Sequence, residues 1–263
     1  MKLLRAWAVA LPAYLWSGWG ALASLLMLFA AWEAVSQLYG PLVLPDPRAT
    51  FGTLAGMLRT PDALAEIAVT TRRALLGLGL AVLAGSLGGF VAGLSATAST
   101  VARPLVTVLM GTPPIAWLVL AMLWFGTGDG TPVFTVFIAC FPLVFVGALQ
   151  GARTLDGQLR EMARAFGLPA RMRALDVYLP HMLSYLFPSW ISALGNAWKV
   201  VVMAELLASP DGVGAALAAT RTQLDTAGTL AWICAVVGLL LAIEYLVLEP
   251  IRRELERWRA PQA

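Results

Sequence analysis

Long stretches with few or no charged residues limit what this 263-residue chain can fold into. Six of them follow one another, at residues 6–32, 74–102, 104–128, 130–152, 177–208 and 228–248. Each matches the roughly 20 apolar residues that a helix needs to cross the hydrocarbon core of a bilayer. Only 13% of the residues are charged and 59% are apolar, whereas a soluble domain has about 25% charged residues. We therefore predict an all-α, polytopic membrane protein with about six transmembrane helices.

These spans leave little room for a separate aqueous domain, so residues 1–263 are predicted to form a single transmembrane domain. The first stretch exceeds the roughly 7 to 15 apolar residues of a cleaved signal, and we interpret it as a retained helix. Cys140 and Cys234 both fall inside spans, which favours small apolar fillers over a disulfide scaffold. The sequence pI of about 9.1 comes from cations scattered between spans, which indicates membrane orientation and no nucleic-acid partner.

The distribution of lysine and arginine predicts the orientation of the chain. Six spans put both termini on one side, and that side carries twelve lysines and arginines against five on the other. Because cytoplasmic loops are enriched in positive residues, both termini are predicted to be cytoplasmic. Arg72 and Arg73 do not fit well, since they precede the second span on the outer side. Asp129 lies on the same side in a predicted tight turn, and turn chemistry alone would explain it.

The second span carries a stripe of small residues at every fourth position. Its members are Gly77, Ala81, Gly85, Gly89 and Gly93. Within lipid, small residues allow two helix backbones to approach closely, so this face is predicted to meet another helix. The partner is either a helix of the same chain, which we favour, or a second copy.

The segment 153–180 is both charged and amphipathic. One helical stripe of apolar residues runs along it: Leu155, Leu159, Met162 and Phe166. Gly167 and Pro169 then end this helix, and a second helix can begin at Ala170. The sequence therefore predicts a helix-turn-helix elbow on the side of the termini, whose short apolar face needs a groove on another protein.

This elbow resembles a region of a known transporter family. Six positions fit the pattern E-A-A, three residues, G, nine residues, I-x-L-P: Glu161, Ala163, Gly167, Val177, Leu179 and Pro180. Met162 replaces the usual second-position alanine, and Val177 replaces isoleucine. The pattern is found in the cytoplasmic loop of permease subunits of bacterial ABC importers. The alternative is an amphipathic surface helix whose spacing matches by accident.

The resemblance extends over nearly the whole chain. Three segments are similar to the nitrate, sulfonate, taurine and bicarbonate branch of these permeases: TTRRALLGLGLAVLAGSLGGFVAGL in span two, PPIAWLVLAMLWFGTGDG from Pro113, and GNAWKVVVMAELLASPDGVG from Gly195. The branch also includes importers of pyrimidine-type vitamin precursors, so the cargo is open between a small anionic solute and such a precursor. The resemblance implies the fold of a type I ABC importer permease in the bacterial cytoplasmic (inner) membrane.

The resemblance also implies partners. In such importers two permease copies, here predicted to be a homodimer, work with two cytoplasmic ATPase subunits and an external or periplasmic solute-binding protein. The elbow lies in a cleft of each ATPase subunit and couples ATP-driven closure to the pathway. The residues that this implies for coupling are Glu161, Ala163, Phe166, Gly167, Leu179 and Pro180.

The chain has no nucleotide site of its own. A phosphate-binding loop needs Gly-Lys-Ser/Thr after a glycine-rich turn, and the only lysines, Lys2 and Lys199, do not follow glycine. ATP and Mg²⁺ are therefore expected on the partner ATPase, with no cofactor bound by this chain. A membrane enzyme would need a nucleophile, a metal cluster or paired carboxylates, none of which is evident. The single histidine, His181, does not support a zinc site.

Charged residues inside the fifth span are candidates for the transport pathway. Lys199 and Glu205 would each cost about 2.5 to 3.5 kcal/mol near the bilayer centre, and such residues usually pair or line a pathway. About 120° separates them around a helix, so they are not expected to pair with each other. Lys199 either pairs with Glu33 or Glu244, contacts an anionic cargo, or lies near an interface. The pathway candidates are Trp117, Asn196, Trp198, Lys199 and Glu205.

A different class of transporter is the main alternative. An ion-coupled carrier without an ATPase would use Lys199, Glu205 and Glu244 to bind and release the coupling ion. The elbow pattern favours the ATP-driven importer, because a carrier has no use for an ATPase docking segment.

Overall fold

The computed structural model describes residues 2–154, 165–167, 169–172 and 178–250. Within these ranges the chain forms helices and no β-strand. The helices are α1 (Lys2–Tyr39), α2 (Pro47–Met57), α3 (Pro61–Gly93), α4 (Ala96–Gly111), α5 (Pro114–Phe125), α6 (Gly130–Arg153), α7 (Ala170–Met172), α8 (Leu179–Ala208), α9 (Val213–Thr222) and α10 (Thr226–Ile243). A π-helical turn, Glu244–Leu248, continues α10.

Five helices are long and apolar enough to cross a membrane, namely α1, α3, α6, α8 and α10. Helices α4 and α5 meet at 92° and together pass the same test as one broken span. The all-α, polytopic prediction is thus confirmed, with the six spans complete when the bent pair counts as one. The predicted end of the fifth span at Ala208 also agrees with the end of α8.

The second span begins earlier than predicted. Helix α3 starts at Pro61, where the Thr60 hydroxyl accepts a hydrogen bond from the Ala63 backbone N–H at 3.4 Å, and the predicted start at residue 74 is wrong. Arg72 and Arg73 therefore lie within this helix. A count of charge-free residues ends a predicted helix at every charged residue. This rule is wrong at Arg72 and Arg73, because carboxylates of the folded chain neutralise these arginines within the helix.

The third span is broken, which also differs from the prediction of one continuous helix over 104–128. It begins at Ala96, and the Ser95 hydroxyl accepts a hydrogen bond from the Ala98 backbone N–H at 3.4 Å. The break falls at Thr112 and Pro113. Proline disfavours helical backbone at the residue before it, so the pair Pro113–Pro114 ends one helix and starts the next.

The small-residue stripe of α3 packs against α6 of the same chain, which confirms the favoured intrachain contact. Gly77 faces Val136, Gly85 faces Val144 and Gly93 faces Ala152. Because both residue numbers rise together, α3 and α6 run parallel. Helix α8 runs the other way, since Gly147 faces Ser189 and Gly151 faces Met182. We call the end where α3 and α6 begin the distal side, and the end where α8 begins the terminal side.

Two glycines of α3 provide a matched test of this packing. A Cβ on Gly89 would overlap the Phe145 carbonyl oxygen and the Ala148 side chain, whereas a Cβ on Gly79 would have open space. We expect Gly89→Ala to lower the free energy of unfolding by about 1–3 kcal/mol, and Gly79→Ala to leave it unchanged or raise it by less than about 1 kcal/mol. Thermal denaturation of the two variants in detergent checks this. Equal unfolding midpoints would contradict a close contact at Gly89.

Short helices lie at the distal side. The Asp46 carboxylate accepts a hydrogen bond from the Ala49 backbone N–H at 2.7 Å and so caps α2. Helix α9 packs against α8, and α10 packs against both α2 and α9. The core itself lies between α3, α6 and α8, with Ala81, Val144 and Ala197 among its fully buried members.

Candidate functional site

A cavity of about 560 Å³ lies next to the break between α4 and α5. Its walls come from the middle of α6 and the middle of α8, around Pro142 and Gly195, and from the residues at the break, around Thr112. It is therefore located at membrane depth, between three elements. Breaks in membrane helices are tolerated where they line a cavity, because the freed backbone groups can then be hydrated.

Three residues with a nitrogen donor line this cavity. Asn196 Nδ2 donates to the Ala139 carbonyl oxygen at 3.4 Å. The Trp117 indole N–H is buried and has no hydrogen-bond partner among the described residues. Lys199 is exposed to the cavity and forms no ion pair with any described residue. The exposed ammonium of Lys199 and the partly buried amide of Asn196 provide donors of the kind that an anion requires.

Glu244, the first residue of the π-helical turn, lines the same cavity. Its carboxylate is not within ion-pair distance of Lys199, and Glu33 instead accepts a hydrogen bond from Gln37 Nε2 at 3.1 Å. The predicted pairing of Lys199 with Glu33 or Glu244 is thus not found in this structure. With respect to the described residues, neither charged group has an ion-pair partner that would keep it from a solute.

Trp198 and Glu205 do not line the cavity, in contrast to their neighbours in the predicted set. Trp198 is buried and faces a small apolar pocket with Val213 and Leu239. Glu205 is fully buried on another face of α8. Consecutive residues point about 100° apart around a helix. Trp198 therefore points in a different direction from its sequence neighbour Lys199. Of the five predicted pathway residues, the structure therefore brings three to the cavity: Trp117, Asn196 and Lys199.

Glu205 belongs instead to a buried ion-pair cluster centred on Arg73, which is 1% exposed. Arg73 Nη1 donates to Glu205 Oε1 at 3.0 Å, Nη2 to Asp211 Oδ1 at 2.5 Å, and Nε to Asp129 Oδ1 at 2.7 Å. One guanidinium thereby joins α3, α8, the loop after α8 and the loop before α6. We call these four residues the Arg73 cluster.

Further hydrogen bonds complete the coordination of Glu205. Its Oε2 accepts hydrogen bonds from Thr70 Oγ1 at 2.7 Å and from the Gly214 backbone N–H at 3.2 Å. Gly212 has a φ of +96°, and a Cβ there would overlap the Glu205 carboxylate. Only glycine meets both conditions, so the turn at Gly212 is built around this buried carboxylate.

Asp129 has more contacts than the predicted turn requires. It pairs with Arg72 as well as Arg73. The hydrogen bond from Arg73, together with the positive charges of both arginines, holds the pKa of this carboxyl below its usual range. Asp129 therefore stays ionised at neutral pH. The sequence signal for this cluster was present in Arg72 and Arg73, whose position did not fit the charge distribution.

The described part of the elbow presents apolar groups outward. Gly167 has a φ of +63°, Phe166 next to it is 76% exposed, and Leu179 is 45% exposed. Pro180 is exposed as well. The predicted coupling residues Glu161 and Ala163 lie outside the described residues.

The elbow starts close to the first turn of α8. Thr154 Oγ1 lies 3.2 Å from His181 Nε2 and also donates to the Gln150 carbonyl oxygen at 2.8 Å. In the part of the chain that the structure describes, no group of three or more His, Cys, Asp or Glu side chains is arranged to hold a metal ion. The contact between Thr154 and His181 links α6 to α8 at the base of the elbow.

Comparison with known proteins gives concordant matches. The taurine transport system permease protein TauC of Escherichia coli is 30% identical over 242 residues, which cover 89% of this chain and 88% of the relative. The putative aliphatic sulfonates transport permease protein SsuC of Bacillus subtilis is 28% identical over 89% of this chain and 85% of the relative. The nitrate import permease protein NrtB of Synechococcus elongatus is 25% identical over 72% of this chain and 71% of the relative.

A family model matches residues 79–254, which include the broken span, the elbow, the cavity-lining part of α8 and the π-helical turn. That model describes the inner membrane component of binding-protein-dependent transport systems. This chain therefore belongs to the family of inner membrane components of binding-protein-dependent transport systems.

Proposed function

We propose that this chain forms the pathway of an ATP-driven importer and that the Lys199 cavity binds the solute during its passage. The observation that carries the proposal is the meeting of the Lys199 ammonium and the Asn196 amide, beside Trp117, in one cavity at a helix break. The donors suit a small solute with an anionic group. The relatives named for taurine, aliphatic sulfonates and nitrate support the same class.

The proposal includes the partners expected for this family. We place a second copy of the chain beside the first, two ATPase subunits against the elbow, and a solute-binding protein at the distal side. ATP and Mg²⁺ bind to the ATPase subunits, and this chain has no catalytic role. The exposed Phe166 and Leu179 support a docking role for the elbow, since an apolar face needs a complementary groove.

The same proposal puts both termini in the cytoplasm. Twelve lysines and arginines on the terminal side against five on the distal side favour this orientation. Arg72 and Arg73 were the exceptions, and their ion pairs with Asp129 account for them as structural residues.

Lys199→Gln tests the role of the cavity. We expect uptake efficiency to fall about 10-fold to 100-fold, because a charge-assisted hydrogen bond contributes about 1.5–3 kcal/mol. Lys199→Arg keeps the charge and is expected to retain more uptake. Uptake into proteoliposomes and the yield of assembled complex are measured together. Unchanged uptake with a poorer yield would show that Lys199 is structural.

Glu244 adds a second feature to the cavity, and it favours a solute that carries a cationic group as well as an anionic one. Lys199 and Glu244 would then contact opposite ends of a zwitterion such as an aminosulfonate. We expect Glu244→Gln to weaken uptake of taurine about 10-fold while leaving that of ethanesulfonate within about 2-fold. Equal losses for both solutes would contradict this role for Glu244.

A further inference from the structure

A second cavity, of about 360 Å³, lies on the terminal side between α4 and α6. Met110 lines both this cavity and the Lys199 cavity, so the two are neighbours. The polar residues of the second cavity are Arg103, Thr107, Gln150, Arg153 and Thr154. We call it the arginine cavity.

Among the described residues, the charged groups that line the arginine cavity are both positive: two guanidinium groups and no carboxylate. Neither Arg103 nor Arg153 forms an ion pair with a carboxylate of the described residues. Two like charges at one cavity repel each other, and an anion between them removes that cost.

The position of Arg103 supports a binding role. It is the only charged residue between Arg73 and Asp129, and it lies within α4 rather than at its end. Arg103 lies in the first half of α4, which begins on the terminal side, and its side chain is exposed, so it can meet an anion that arrives from that side. Arg153 is the last residue of α6, where a cation also faces the negative end of the helix dipole.

Both threonine hydroxyls of the cavity already donate to backbone carbonyl oxygens, so the guanidinium groups are its main donors. Thr107 Oγ1 donates to the Arg103 carbonyl oxygen at 2.9 Å, and Thr154 Oγ1 donates to the Gln150 carbonyl oxygen at 2.8 Å. The planar guanidinium group matches the geometry of an oxyanion and can bind two of its oxygens at once.

We propose that the arginine cavity is a second anion-binding site, which takes a sulfonate, a phosphate or a similar oxyanion between Arg103 and Arg153. The occupant is either a free anion from the terminal side or the headgroup of an anionic lipid, since both present the same chemistry. A bound anion would hold α4 against the end of α6, next to Thr154 and the base of the elbow. The site depends on these residues and not on the function proposed for the Lys199 cavity.

Titration of the full chain with ethanesulfonate tests the proposal. The chain is placed in nanodiscs of phosphatidylcholine, and binding is measured by calorimetry for the wild type, Arg103→Gln with Arg153→Gln, and Lys199→Gln. We expect the double variant to weaken one of the ethanesulfonate binding events, whose affinity falls about 10-fold or more. The matched control, Arg48→Gln with Arg59→Gln, makes the same charge change on the distal side and should retain that event.

The lipid arm uses nanodiscs that contain phosphatidylglycerol, with native mass spectrometry of the released protein. If a headgroup is the occupant, the double variant loses retained phosphatidylglycerol molecules that the control variant keeps. Loss of ethanesulfonate binding or loss of retained lipid, specific to the double variant, supports the site. Unchanged ethanesulfonate binding together with unchanged lipid retention overturns it. Weaker ethanesulfonate binding in Lys199→Gln alone would concern the Lys199 cavity. The proposals for the two cavities can therefore be contradicted independently.

Discussion

Arg73→Gln is expected to lower the free energy of unfolding by about 3–5 kcal/mol, the usual cost of breaking a buried ion pair by removing one partner. The variant would leave Glu205, which is fully buried, without its cation. It would also remove the ion pairs of Arg73 with Asp129 and Asp211. Chemical or thermal unfolding in detergent, followed by size-exclusion chromatography, measures the effect.

Arg72→Gln is the matched control for this prediction. Arg72 is the neighbouring residue of the same type, but its side chain is 58% exposed and its ion pair is with the half-exposed Asp129. Such a pair contributes about 1 kcal/mol or less, so little destabilisation is expected. Arg73→Gln combined with Glu205→Gln should recover part of the loss, since the fully buried charge of Glu205 is removed and the carboxylates that remain, Asp129 and Asp211, are half-exposed. Equal unfolding midpoints for Arg73→Gln and Arg72→Gln would contradict the structural role of the cluster.

Gly167→Pro is expected to reduce ATP-driven uptake about 10-fold or more. Proline fixes φ near −65°, whereas Gly167 has a φ of +63°, so the turn of the elbow cannot be kept. Gly167→Asn is expected to retain most of the uptake, because asparagine tolerates this backbone region better than other residues do. Uptake and the stimulation of ATP hydrolysis by the binding protein are measured in the same proteoliposomes.

The unfolding midpoint of the isolated permease controls for general damage in this experiment. No atom of the described residues lies within 4 Å of a Cβ built on Gly167, which is next to the exposed Phe166. We therefore expect Gly167→Pro to leave the midpoint near that of the wild type while uptake and ATP hydrolysis become uncoupled. Full uptake by this variant would show that the elbow does not transmit the ATPase motion.

The spans and the glycine stripe could be predicted from the sequence because both are local patterns. Span length depends on consecutive apolar residues, and the α3 contact on small residues at every fourth position. The break in the third span also had a local signal, in Pro113 and Pro114. A count of charges alone could not register it, since proline is uncharged.

The Arg73 cluster could not be predicted in the same way, because its members are brought together by tertiary contacts between α3, α6 and α8. Arg73 and Glu205 are 132 positions apart, and each was a charge without an evident partner. The helical angle between Lys199 and Glu205 did predict that they would not pair, and the structure confirms it. The angle could not predict whether Lys199 or Glu205 lines the cavity, because that depends on how α8 packs against α6.

Uptake by the reconstituted complex measures whether this chain forms the pathway of an ATP-driven importer. The chain is placed in liposomes with its ATPase subunits, ATP is supplied on the side of the elbow, and the binding protein with labelled taurine is supplied on the distal side. We predict accumulation that requires ATP, the ATPase subunits and the binding protein. We also predict that Lys199→Gln weakens this accumulation. Accumulation driven by a proton gradient, by the chain alone and without ATPase subunits, would contradict it.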